Sequence, residues 1–208
     1  DGAVRARERG REVLRAGGPL EGVAAAELLA GLGAAYAAQG ELEQAEAALA
    51  QGMRALEGDK ALETEEGALV LARLGDAWLL LGGDEEAADC FGRAVRASEG
   101  ALQPAERAEL LAKSGAVLVS LGDDERALEE LEEAHGLLDE EGLLSSAAGA
   151  RVFTHIAIVR ARNGELEEAL AGLELARDIL EDEGLLESEE GAGVFQNLSI
   201  VQAQMGDE

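Results

Sequence analysis

A glycine returns every 42 residues along most of this chain. Gly58, Gly100, Gly142 and Gly184 lie 42 apart, each preceded by a glutamate, Glu57, Glu99, Glu141 or Glu183. A second series, Gly40, Gly82, Gly122, Gly164 and Gly206, follows at intervals of 42, 40, 42 and 42. A fixed period of this length means one supersecondary unit used repeatedly, each unit burying a face against the next. Between the glycines the same pattern recurs. The first copy reads Leu29-x2-Leu32-Gly33-x2-Tyr36, then Gly40, Ala45, Leu49 and Gly52. The second reads Leu71-x2-Leu74-Gly75-x2-Trp78, then Gly82, Ala87, Phe91 and Ala94. The third has Leu111, Ser114, Gly115 and Leu118, then Gly122, Ala127, Leu131 and Ala134. The fourth has Phe153, Ile156, Ala157 and Arg160, then Gly164, Ala169, Leu173 and Ala176. A fifth begins at Phe195, Leu198 and Ser199.

Apolar or small residues three, four and seven apart give a helix with one buried stripe. Forty-one alanines and 34 leucines against few β-branched residues favour helices over strands as well. The second glycine series ends the first helix of each pair, where a left-handed backbone is needed. Acids follow at once, as in Asp84 to Glu86 and Asp123 to Glu125, and carboxylates suit a helix N-terminus. Each unit is therefore expected to be an antiparallel helical hairpin. Gly33, Ala45, Gly75 and Ala87 let its helices approach closely, and Tyr36, Trp78, Leu49 and Phe91 fill the remaining space.

The L-G…Y/W…G…A…F/L…A spacing of the first two copies resembles the tetratricopeptide repeat (TPR). The resemblance covers about 26–208, with units at about 26–67, 68–107, 108–149, 150–191 and a partial unit at 192–208. The unit is about 42 residues rather than the 34 of that family, extended by acidic stretches such as Glu57–Gly67 and Glu181–Gly191, and in this length it is similar to kinesin light chain repeats. The closing proline is absent, Pro104 sits elsewhere in one connector, and Arg160 stands where an aromatic is usual. The resemblance implies an all-α, right-handed superhelical α-solenoid of stacked antiparallel helix pairs. Residues 1–25 are expected to hold a leftover second helix, about 3–16, and a connector. Residues 192–205 are expected to form a first helix without its mate, exposing Phe195, Leu198 and Val201. With no initiating Met, such ragged ends suggest a piece of a longer array.

Charge excludes several functions. Seventeen basic against 44 acidic residues leave −27, the wrong sign for a phosphate-binding surface. The one basic run, Arg5, Arg7, Arg9 and Arg11, is interrupted by Glu8 and reads as an exposed helix face. No apolar run approaches the roughly 18 residues of a membrane span, and 1–15 lack a signal-peptide core. A lone cysteine, Cys90, permits no internal disulfide and suits a reducing, cytoplasmic setting. Two lysines among 17 basic residues suggest a GC-rich bacterial source.

Chemistry is equally sparse. The two histidines, His135 and His155, fall on different helices, and no Cys or His spacing suits zinc. Gly31-Leu32-Gly33 begins like a dinucleotide fingerprint but lacks the third glycine and a preceding strand. Cys90 beside Phe91 reads as a small packing residue. No nucleophile has a base, so no enzyme, cofactor or metal is expected.

In proteins of the resembled family, first helices line a concave groove where extended peptides lie. Taken as 26–39, 68–81, 108–121, 150–163 and 192–205, the first helices hold three acids and five bases, leaving −29 on the other 138 residues. One column, just before each L-G pair or its stand-in, reads Gly31, Arg73, Lys113, His155 and Asn197. Arg151 and Arg162 lie on neighbouring columns, with Gln196 and Gln204 as further donors. Guanidinium and amide donors pair with carboxylates and with the carbonyls of an extended chain. His155 is expected to change charge near pH 6–7. The expected function is a non-catalytic protein-interaction module that binds an extended, acidic or C-terminal peptide. The alternatives are a regulatory or structural segment of a larger bacterial signalling enzyme, or a scaffold self-associating through its incomplete end repeats.

Overall fold

The computed structural model describes residues 21–57 and 64–206. The expected leftover helix at 3–16, the Arg5–Arg11 run and Gly58 lie outside the described residues. The described residues form nine α-helices: α1 (Val23–Ala37), α2 (Leu42–Leu56), α3 (Glu65–Leu79), α4 (Asp84–Ser98), α5 (Pro104–Leu121), α6 (Asp124–Glu140), α7 (Ala147–Arg162), α8 (Leu166–Asp182) and α9 (Glu189–Gly206). They fall into two compact units, one ending at Leu102 and the other beginning at Gln103. The first contains the hairpins α1–α2 and α3–α4; the second contains α5–α6, α7–α8 and the single helix α9.

Three of the hairpins are each held by a missing Cβ. A methyl group added to Gly33 would overlap the Leu49 side chain, and one added to Gly75 would lie 2.9 Å from the Phe91 ring. At Gly115 it would lie 2.6 Å from Leu131 Cγ. The first helix thus presents a flat spot, and a fully buried Leu or Phe of the second helix fills it. In the fourth hairpin Ala157 stands at this position, and Gly172 of α8 faces it, where an added Cβ would make only ordinary contact with the Ala157 methyl group, at 3.4 Å.

The turns follow the sequence. Gly122 caps α5 at φ 77° with its N–H donating to the Leu118 and Val119 carbonyls, and Gly40, Gly82 and Gly164 also have positive φ. Acids then open the second helices: Glu43 in α2, Asp84 to Glu86 in α4, Asp124 and Glu125 in α6, Glu167 and Glu168 in α8.

The first helices begin earlier than periodicity suggests. Thr64, Ser146 and Ser188 accept hydrogen bonds from the N–H groups of Gly67, Gly149 and Gly191, at 3.2, 3.4 and 3.2 Å. These side chains satisfy free N-terminal donors and start each helix about three residues upstream. A Cβ at Gly149 or Gly191 would run into the Leu144 or Leu186 carbonyl, so the cap requires glycine there. Pro104 is not in a connector. It is the first residue of α5, behind a capping box made by Gln103 and Glu106.

Gly115→Ala should destabilise the fold by about 1–3 kcal/mol through overpacking. Gly136→Ala, in the exposed middle of α6 with nothing within 4 Å of the new methyl group, should stabilise it by about 0.5–1 kcal/mol. Urea midpoints of the two variants against the parent check this pair of opposite signs.

Candidate functional site

Extending the first helices upstream changes their charge. Glu65, Glu66, Glu106, Glu189 and Glu190 join them, giving eight acids and six bases where three and five were expected. The first helices, summed, are therefore not net basic. The carboxylates are there for the same reason as the caps, to meet the positive end of each helix.

In the first unit, α1 and α3 enclose a cleft of about 360 Å³. Gly31 and Arg73, neighbours in the sequence column, both line it, with Glu27, Ala34, Asp76 and Leu80. The Arg73 guanidinium is ion-paired to Glu27, not left as an open cation, and both side chains are more than half exposed.

In the second unit, a cleft of about 340 Å³ lies between α7 and α9 over Leu180 of α8. His155 and Asn197, again neighbours in the column, share it with Arg151. Arg151 Nη1 donates to Glu190 Oε1 at 3.0 Å, a half-buried pair across the cleft. The Thr154 hydroxyl is turned back onto the Ala150 carbonyl at 2.8 Å. The Nδ1 atom of His155 is buried and has no hydrogen-bond partner among the described residues.

His155 does not titrate near pH 6–7. Burial, helped by the Arg151 charge one turn away, pushes its pKa down to about 4. It is a neutral imidazole at neutral pH, with one donor and one acceptor nitrogen. His135, the other histidine, packs edge-on against Phe153, ring centres 5.4 Å apart at 75°.

The remaining candidates are placed differently. Lys113 is half-buried on α5. Arg162, at the end of α7, donates to the Val119 carbonyl at 2.8 Å and to Asp124 at 2.7 Å, tying α7 to the α5–α6 turn. Gln196 and Gln204 are exposed on α9. Of the three apolar residues expected to be exposed on that helix, Leu198 and Val201 are buried against α8; only Phe195 is open, at 46%, together with Ile200.

Cys90 is fully buried with its sulfur 3.3 Å from Met53 Sδ, and burial pushes its thiol up to about 12, far from a reactive thiolate. Among the described residues, no three His, Cys, Asp or Glu side chains are grouped to hold a metal ion, and no helix is long and apolar enough to cross a membrane.

No family model and no curated protein matches the sequence. Solved structures do match the fold. BtubC (BKLC) from P. vanneervenii superposes with a TM-score of 0.73 at 20% identity, over 99% of this chain and 82% of that one. TPR-like repeats of a putative kinesin light chain from Podosopora anserina give 0.67 at 18% identity, over 86% of each chain. The apo form of RapI gives 0.70 at 18% identity, over 97% of this chain but 54% of that one. The chain has an all-α, TPR-type repeat fold.

An unfolded His155 gains its proton near pH 6.5, whereas the folded protein resists it down to about 4. Acidification from neutrality therefore favours the unfolded chain, and stability contributed by the neutral imidazole above pH 6.5 is lost as pH falls toward 4. Between pH 7 and pH 5 the parent should lose about 2 kcal/mol more than His155→Leu. Urea unfolding of both proteins at the two pH values measures the difference; equal losses would mean the imidazole is hydrated in the folded state.

Proposed function

We propose that this chain is a non-catalytic protein-interaction module that holds an extended segment of a protein partner in the clefts between successive first helices. The observation that carries this is the pairing of column neighbours within clefts. Gly31 meets Arg73 between α1 and α3, and His155 meets Asn197 between α7 and α9. Both clefts join polar groups to an apolar floor, Ala30 and Ala77 in one, Ile158 and Val194 in the other. That is the composition of a site that grips side chains while pairing with polar backbone.

The partner segment is acidic or ends in its C-terminal carboxylate, with Arg73 as the cationic contact offered by the first unit and Lys113 as the one offered by the second. Asn197 and Gln196 add amide donors. Arg151 and Arg162 act chiefly through the bonds they already make, bracing the second unit. A partner carboxylate takes Arg73 by exchange with Glu27. The resident pair is exposed and worth no more than about 1 kcal/mol, so the exchange opposes binding only weakly. The acidic remainder of the surface disfavours nucleic acid.

A second reading, self-association, draws on Phe195. It is 46% exposed while its repeat equivalents Leu29, Leu71 and Leu111 are buried. A single sedimenting species that stays monomeric across a hundredfold concentration range would remove it.

Fluorescein-labelled decapeptide pools, one rich in Asp and Glu with free C-termini and one rich in Lys, test the main reading by anisotropy. The acidic pool should bind more tightly. Arg73→Ala with Lys113→Ala should weaken it about fivefold to tenfold at 50 mM salt, with a smaller loss at 500 mM. Unchanged affinity in the double variant would take both residues out of the site.

A further inference from the structure

We propose that α9 is the contact helix of a symmetric dimer, in which the open faces of two copies pack antiparallel about a two-fold axis at Ser199. The proposal deepens the self-association reading above and is independent of the peptide reading. It names the surface, the register and the symmetry.

One side of α9 is spent on the fold. Gly191, Val194, Leu198 and Val201 are its buried residues, and the three apolar ones pack into the core that α8 supplies. The other side is open. Phe195, Gln196, Ser199, Gln202 and Ala203 are all exposed, and spacings of three and four about Ser199 place them on one helical face. In the first three hairpins the residues equivalent to Phe195 and Gln202 are Leu29 and Tyr36, Leu71 and Trp78, and Leu111 and Leu118. All six are buried. The face left open on α9 is therefore one that this molecule elsewhere covers with a helix.

Charge selects the occupant. Gly191–Gly206 holds no Asp, Glu, Lys, Arg or His, the longest such run in a chain that is 29% charged. A surface helix normally carries charges on its solvent side, whereas the centres of interfaces are depleted of them. A strongly acidic or basic partner would find nothing on this face to pair with. A second copy brings −27 of its own, and an uncharged stripe is where two such copies meet with least repulsion and no buried charge.

The stripe is also complementary to itself. In a two-fold contact each residue before Ser199 faces the one equally far beyond it on the other copy. Phe195 then lies over Ala203, large against small, and Gln196 meets Gln202, whose carboxamides each offer donors and an acceptor. At the ends Ala192 meets Gly206, both exposed. Ser199 carries the Cβ that Gly33, Gly75 and Gly115 lack, so a Leu or Phe seated as in those hairpins would run into it. A small residue opposite fits, and on the axis that residue is the other Ser199, its hydroxyl already turned onto the Phe195 carbonyl at 3.0 Å. In the dimer Gln196 is withdrawn from peptide contacts, while Asn197, in the α7–α9 cleft, stays available. One pair of helices lies at the low end of interface size, below roughly 1,200 Å², so the dimer is weak.

Sedimentation equilibrium of the full chain, from about 1 μM to 1 mM, tests the proposal. At 500 mM salt the data should fit monomer and dimer with no larger species, and the dissociation constant should rise about tenfold at 50 mM as screening is lost. Ser199→Glu, which sets two carboxylates together on the axis, should weaken the dimer at least about tenfold. Gln196→Glu with Gln202→Glu should do the same. Gln196→Lys with Gln202→Lys should also weaken it, although it lowers the net charge, because lysine then faces lysine. Gln196→Lys with Gln202→Glu should match or exceed the parent, since each new cation faces a new carboxylate of the other copy. All these positions are exposed, so the melting temperature of dilute, monomeric samples should stay with the parent. A dimer that survives Ser199→Glu, one that the Lys–Lys pair tightens, or a mass that grows beyond the dimer would overturn this interface and leave self-association standing. A monomer at every concentration and both salts would overturn this interface and the self-association reading together, without touching the peptide reading.

Discussion

Two helices can lie closely side by side only where something is left out between them, and here it is a Cβ. At Gly33, Gly75 and Gly115 the first helix has no side chain where Leu49, Phe91 and Leu131 of its mate enter. The knob is large and the hole is a bare backbone, so the fit fixes both the separation of the helices and their register. The position of the clefts follows from that fit. Because the mate is seated on the glycine face, the column two positions earlier, Arg73 or His155, is turned to the adjacent first helix and lines a cleft there. In the fourth hairpin Ala157 takes the glycine's place, and α7 and α8 still pair.

The repeat made most of this legible. Glycines at constant intervals located the turns, since Gly122 and its equivalents adopt a positive φ that a side chain would disfavour. Hydrophobic spacing located the buried stripes. Helix starts were not read, because periodicity of apolar residues says nothing about a first turn whose side chains face solvent. The signal existed all the same. Thr64, Ser146 and Ser188 each stand three residues before a glycine whose N–H they accept. Weighing that S/T-x-x-G pattern as a cap would have placed Glu65, Glu66, Glu189 and Glu190 inside first helices and removed the apparent excess of bases.

The candidate site was legible as a set of positions but not as a set of chemical states. Column arithmetic brought Gly31 to Arg73 and His155 to Asn197. It could not show that Arg73 meets Glu27, 46 residues away, or that Arg151 meets Glu190, 39 residues away. These separations bracket the 42-residue period because each pair joins one first helix to the next with an offset of about one turn. Nor could the sequence show that His155 is kept neutral. That depends on how deeply neighbouring helices bury the ring, a tertiary quantity. Leu198 and Val201 teach the same lesson. A helix without its own mate still buries its stripe when the preceding second helix, α8, covers it.

The charge of the whole chain sets the terms on which any acidic partner is recognised. At −27 the protein repels anions at long range, while the guanidinium groups of Arg73 and Arg151 are each already matched by a glutamate. Long-range steering therefore works against an acidic segment, and attraction begins only at contact distance. Salt divides the two effects. Added ions shorten the screening length to about 8–10 Å at physiological strength, suppressing the repulsion more than the short pairs inside a cleft. The preference for an acidic segment proposed above would therefore come from pairs made at contact distance and not from the long-range field.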